Sequence, residues 1–187
     1  MSKSELRKAF LAKRAKLTAT EVVENSSLIY ERFISQYPLI NRTVHCFKSI
    51  PGSKEIITDN FFNHCHLNEI NIGTSITKFK PKKLEHSLIT SNTVFKADNF
   101  GVPTPTEQIE FDIEKLDIVV VPLLCCDSVG NRIGYGQGFY DSFLMQLRKK
   151  TLKIGVSYFE PIKENIPVDS WDVKLDGMIT PSDIFIF

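Results

Sequence analysis

Asp117-Ile-Val-Val-Val-Pro-Leu-Leu-Cys-Cys-Asp-Ser-Val-Gly-Asn-Arg-Ile-Gly-Tyr-Gly-Gln-Gly-Phe-Tyr-Asp-Ser-Phe-Leu144 is the stretch that decides the fold. Residues 117–124 form an almost unbroken Ile/Val/Leu run, as expected of a strand buried on both faces in a parallel sheet. A chain with nine glycines then places four of them, Gly130, Gly134, Gly136 and Gly138, within nine residues. Glycine is favoured where φ must be positive or where another group must approach the backbone closely. From about residue 138 to 150, Phe139, Phe143 and Leu147 recur at helical spacing, and residues 152–158 read as a further strand. Strand, glycine loop, helix and strand make a βαβ unit. Ligands of such sheets sit beyond the carboxyl ends of the strands, which is where the glycine loop falls.

The same alternation extends outward. Residues 3–16 place Leu6, Phe10 and Leu17 on one stripe behind a Ser2/Glu5 capping box, and Thr18/Glu21 repeat that box before a second helix that runs to about Tyr37 and is closed by Pro38. Residues 43–49 read as a strand, 56–66 as a helix and 70–77 as a strand, followed by short strands around Leu88 and Phe95. The prolines of Val102-Pro-Thr-Pro-Thr-Glu107 exclude helix interior and central strand, so this segment reads as an irregular loop. The expected fold is a three-layer α/β/α sandwich with a mainly parallel sheet and N-terminal helices, forming one domain over residues 1–187.

Composition narrows the function. Lys plus Arg (23) nearly balance Asp plus Glu (22), and the net charge of +1 gives no field that calls for nucleic acid or a membrane surface. The N-terminus lacks the apolar core of a signal peptide, and no window approaches the ~18 apolar residues of a membrane span. A cytoplasmic, monomeric protein is expected. The four cysteines, Cys46, Cys65, Cys125 and Cys126, show no CxxC pattern, and Cys125 and Cys126 should point to opposite faces of a strand. The pairs His45-Cys46 and His64-Cys65-His66 match no structural zinc spacing.

Two familiar phosphate motifs fail on the glycine loop. GxGxxG would need glycine where Phe139 stands, and the P-loop Gly-Lys-Ser/Thr is absent. Alternating glycines still let successive N–H groups face an anion, and the loop enters a helix N-terminus. Arg132 adds a fork suited to phosphate, and Asp141 in the first helical turn can serve the dipole or hold Mg²⁺ on a nucleotide. A tight βα turn without a ligand is the alternative local reading.

Gly130-Asn-Arg-Ile-Gly-Tyr-Gly-Gln-Gly-Phe-Tyr-Asp141, after Val121-Pro122, resembles the signature of the 5-formyltetrahydrofolate cyclo-ligase family, whose members are also called 5,10-methenyltetrahydrofolate synthetases. Lys3-Ser-Glu-Leu-Arg7 resembles the family's N-terminal Lys-x-x-x-Arg. Phe47-Lys48-Ser49-Ile50-Pro51 through Glu55-Ile-Ile-Thr58 resembles its folate-contacting segment. Residues 166–176, with Asp172 and Asp176, resemble its closing Pro-x-x-x-x-Asp-x-x-x-Asp pattern. The sequence departs from relatives at Gln137, Phe139 and Trp171, which keeps open a relative that binds ATP and folate without turnover.

The resemblance implies ATP- and Mg²⁺-dependent closure of 5-formyltetrahydrofolate to 5,10-methenyltetrahydrofolate. It implies that Lys3, Arg7, Arg132, Gly134, Tyr135, Gly136, Gln137, Gly138, Phe139 and Tyr140 hold ATP, with Arg132 and Tyr135 catalytic. Lys48, Glu55, Tyr135 and Phe139 would contact the folate, and Asp141 with Asp172 would hold Mg²⁺.

Overall fold

The computed structural model describes residues 1–187. In chain order the elements are α1 (Lys3–Ala15), α2 (Ala19–Gln36), β1 (Val44–Cys46), α3 (Asp59–Leu67), β2 (Ile72–Phe79), β3 (Lys82–Ile89), β4 (Phe95–Ala97), β5 (Pro103–Pro105), β6 (Ile118–Pro122), β7 (Cys125–Cys126), β8 (Arg132–Ile133), α4 (Phe139–Leu144), β9 (Leu152–Val156), β10 (Gly177–Ile179) and β11 (Ile184–Ile186). Seven strands form one sheet in the order β11-β10-β9-β6-β1-β2-β3. Pairing from β10 through β9, β6 and β1 to β2 is parallel, and both edges, β11 and β3, are antiparallel. This is the α/β sandwich expected, with its hydrophobic strand β6 at the centre.

Strand periodicity distributes the β6 side chains between two cores. Ile118 and Val120 face α2 and α3, where Ile29, Phe33 and Phe61 complete a buried cluster. Val119 and Val121 face α4, packing with Phe143, Leu144 and Met178. Both capping boxes form, Ser2 with Glu5 and Thr18 with Glu21, and they fix where α1 and α2 begin. Helix α1 joins neither layer. Its Leu6 and Phe10 pack on Leu124, Cys125, Ile133 and Ile166, at the carboxyl end of β6. The four cysteines are free and buried, and Cys125 and Cys126 fall in different clusters, as strand alternation requires.

Several boundaries differ from the sequence expectation. The third helix begins at Asp59, not at residue 56, because Ile57 N–H is committed to Ser26 Oγ (2.9 Å) and Thr58 Oγ1 to Ser49 N–H (3.2 Å). Residues 82–89 form one full antiparallel edge strand where only a short strand near Leu88 was expected. The proline-rich segment is no irregular loop: β5 pairs with β4 in a two-stranded ribbon, and flanking bonds from Asp98 N–H to Val102 O and from Thr106 N–H to Val94 O stand in for the missing proline donors. Helix α4 stops at Leu144. Beyond it, Gln146, Leu147 and Thr151 N–H groups bond three residues back, while Arg148 and Thr151 side chains both donate to Leu116 O at 2.7 Å, tying the segment to the sheet.

Candidate active site

The carboxyl end of β6 leads into a ribbon, β7 with β8, folded around one buried acid. Asp127 Oδ1 accepts from Val129 and Asn131 N–H groups at 3.1 and 2.9 Å, and Oδ2 from Asn131 Nδ2 and Ile166 N–H at 2.8 and 2.9 Å. Burial alone would raise its pKa, but these donors outweigh burial and hold the carboxyl below its usual range. Sequence reasoning passed over Asp127. It also grouped Gly130 with the ligand glycines, whereas a β-carbon there would meet Leu175 O at 2.8 Å and the Phe187 ring at 3.0 Å. Gly130 permits close packing of the C-terminal segment.

The ribbon delivers the loop of residues 134–138 to the rim of a cleft of about 460 Å³. All the residues that the resemblance assigned to ATP, folate or metal line this one cleft. Across the loop, none of the backbone N–H groups from Gly134 to Asp141 meets a protein acceptor. Residues 135–138 are exposed and 134 and 139–141 partly so, which leaves these donors open to solvent and free to meet an acceptor from outside the chain. Helix α4 has only six residues, so its dipole adds little and the N–H groups themselves carry the positive field.

Helix α1 supplies cations from the opposite side. Arg7 Nε donates to Gly134 O at 3.0 Å. Lys3 Nζ is paired with Asp169 Oδ2 at 2.6 Å and with Asp172. Although desolvation works against the ammonium, the bonds to Asp169 and Asp172 prevail and raise its pKa. Arg132, whose side chain is only 5% exposed, pairs with Asp141 Oδ1 at 2.6 Å and donates to Val173 O. The two residues expected on phosphate and on magnesium thus hold one another. Lys48 is paired with Asp59 and lies over the rings of Phe62 and Phe95. Phe139 packs edge-on against Phe79, with Lys82 Nζ 5.4 Å from its centroid.

At the other end, Tyr135 OH donates to Glu55 Oε1 and accepts from Arg14 NH1 at 2.7 Å. Glu55, 7% exposed, also accepts from Ile50 N–H at 2.8 Å through Oε2. Although the ring is partly exposed, desolvation of the hydroxyl between Arg14 and Glu55, then the charge of Glu55, pushes the Tyr135 pKa up, so it stays a phenol. Tyr140 forms part of the wall, with its hydroxyl buried and unpartnered. Arg14 and Asp169 were not foreseen. Arg14 lies seven residues after Arg7, on the same helical face, and Asp169 three before Asp172, spacings that would have found both.

The 5-formyltetrahydrofolate cyclo-ligase family model matches residues 1–181. The chain belongs to the 5-formyltetrahydrofolate cyclo-ligase family. A 5-formyltetrahydrofolate cyclo-ligase of Mycoplasma pneumoniae is 28% identical over 183 residues, covering 96% of this chain and 98% of that one. The NMR structure of Aquifex aeolicus 5,10-methenyltetrahydrofolate synthetase superposes with a TM-score of 0.83 at 26% identity, covering 100% of this chain and 93% of the other. The 5,10-methenyltetrahydrofolate synthetase structure from Mycoplasma pneumoniae gives 0.74 at 26% identity, covering 97% and 99%. Such whole-length agreement makes the chain an enzyme of the cyclo-ligase family. No helix is long and apolar enough to cross a membrane.

Proposed function

We propose that the chain closes 5-formyltetrahydrofolate to 5,10-methenyltetrahydrofolate at the expense of ATP, and that the loop of residues 134–141 cradles the triphosphate. The observation that carries this is the row of unpartnered N–H groups, bordered by Arg7 and Lys3. Successive backbone N–H groups in such a loop form an anion-binding concavity, and phosphoryl transfer asks chiefly for positioning and positive charge.

The formyl oxygen is amide-like and leaves poorly. Its attack on the γ-phosphorus forms an O–P bond, breaks the bond to the β-phosphate oxygen and releases ADP. N10 then bonds to the formyl carbon and gives up its proton, while the C–O bond breaks and phosphate departs with the former formyl oxygen. Arg7, Lys3 and the loop N–H groups hold the phosphates, with Gln137 and Tyr140 at their edges. Arg132 adds charge from beneath and fixes Asp141. Glu55 accepts hydrogens from the pterin or N10, Tyr135 and Phe139 offer ring surface, and Lys48 stands at the folate end.

No group of three or more His, Cys, Asp or Glu side chains lies close enough to hold a metal ion unaided. That arrangement suits Mg²⁺, which binds one or two carboxylates together with substrate phosphates. Arg132 and Val173 N–H both address Asp141 Oδ1, and Lys3 and Asp169 N–H both address Asp172 Oδ2, so each carboxylate keeps a second oxygen for the ion. When bound, Mg²⁺ would neutralise charge on the β- and γ-phosphates.

Substrate labelled with ¹⁸O in the formyl group tests the phosphorylation step. Label is expected in the released phosphate; label in water, or ring closure without ADP formation, contradicts it.

A further inference from the structure

Arg14 is buried, 9% exposed, and no carboxylate lies within ion-pair distance of it. Its one hydrogen bond goes to Tyr135 OH, and its guanidinium lies 5.4 Å from the centroid of the Tyr135 ring. A buried charge without a partner is expensive, and the counter-charge here, Glu55, stands one hydroxyl further on. From this geometry we infer that Arg14, acting through Tyr135, is a positioning residue for Glu55, an inference that rests on Glu55 contacting the folate as proposed above.

A guanidinium only donates, and a phenol has a single proton. With its oxygen taken by Arg14, the Tyr135 hydroxyl must send that proton to Glu55 Oε1. Ile50 N–H holds the other carboxylate oxygen. The backbone on either side is tied down as well. Lys54 Nζ, next to Glu55, donates to Ala15 O and Leu17 O at 2.5 and 2.6 Å, which fastens the Glu55 loop to the end of α1. Tyr158 OH donates to Glu55 O at 2.9 Å. Helix α1 thereby joins the two ends of the cleft: Arg7 sets the glycine loop, and Arg14 sets the direction of the one hydroxyl between that loop and Glu55.

The test is a double-mutant cycle on the full-length protein with Arg14→Met, Tyr135→Phe and both together, measuring KM for 5-formyltetrahydrofolate and for Mg-ATP, with the folate Kd measured directly in the same variants. Tyr135 is 43% exposed, and phenylalanine keeps its ring, so this variant should fold even if Arg14→Met does not. Each single substitution is expected to raise the folate KM and Kd about tenfold, with the ATP KM within about twofold of wild type, as for a lost hydrogen bond to a charged group. The double variant should be no worse than Tyr135→Phe alone, and Arg14→Lys should recover most of the loss. Effects that multiply toward about a hundredfold in the double variant would show that Arg14 acts independently of Tyr135, and a parallel rise in ATP KM would show that its effect is not confined to Glu55; either result overturns the inference. Wild-type protein that makes no methenyl product would count against the proposed reaction, whereas the folate Kd values would still decide the Arg14 question.

Discussion

Arg7 lies so close over Gly136 that a β-carbon on the glycine would come within 2.9 Å of the guanidinium carbon. The glycine has φ +89°, where an L side chain is strained. The segment thus needs glycine for two reasons at once, backbone conformation and the approach of a cation. Gly136→Ala is expected to cost about 1–2 kcal/mol in stability and to raise the KM for ATP more than that for folate, because Arg7 must move. Equal KM values for wild type and variant would contradict a phosphate role for this contact.

Arg132 and Asp141 form a largely buried pair at the foot of the same loop. Arg132→Ala should lower kcat/KM by about 30- to 1000-fold, roughly 2–4 kcal/mol, the scale of losing one preorganised donor to a developing negative charge. Arg132→Lys keeps the charge without the fork and should fall between. A variant Arg132→Ala retaining kcat/KM within about threefold would remove Arg132 from catalysis, since an effect that small is close to that of a lost surface ion pair.

Asp127 organises the ribbon before any ligand is considered. Asp127→Ala leaves the Val129, Asn131 and Ile166 donors without their acceptor and is expected to destabilise the fold by about 3–4 kcal/mol in urea unfolding. Asp127→Asn, which keeps one acceptor oxygen, should cost less. A loss under about 1 kcal/mol for the alanine variant would place it among ordinary surface substitutions and contradict this role.

Behind the cleft, His45 Nε2 lies 3.2 Å from His86 Nδ1 and 3.1 Å from Ser75 Oγ. Burial drives the His45 pKa well below its ordinary value of 6.5 and that of His86 down to about 4. Below pH 6.5 the unfolded chain therefore takes up protons that the folded chain refuses. The stability present above that pH is lost as pH falls toward 4, by roughly 2–3 kcal/mol for His86 with its partial exposure discounted. Thermal unfolding between pH 7 and 5 should show a falling Tm, and His86→Gln should flatten the slope; an unchanged slope would contradict the buried neutral pair.

The sequence was most legible where local chemistry and tertiary structure agree. The β6 run, the two capping boxes and the glycine loop each impose their own geometry, and the structure keeps all of them. It was least legible where long-range partners decide. The start of α3 depends on Ser26 and Ser49, the end of α4 on Leu116, and the ribbon β4–β5 on a strand partner that proline composition hides. In the site, residue types pointed to the cleft but not to the pairings. Arg132 with Asp141, Lys3 with Asp172 and Arg14 with Tyr135 join positions 9, 169 and 121 residues apart, distances that no periodicity spans.

The most direct measurement mixes purified protein with 5-formyltetrahydrofolate and Mg-ATP and follows the near-ultraviolet absorbance of 5,10-methenyltetrahydrofolate, with ATP or Mg²⁺ omitted in parallel. A rise that requires both is the expected result. A flat trace, in protein that binds ATP, would contradict cyclo-ligase turnover and leave a relative that binds its ligands without closing the ring.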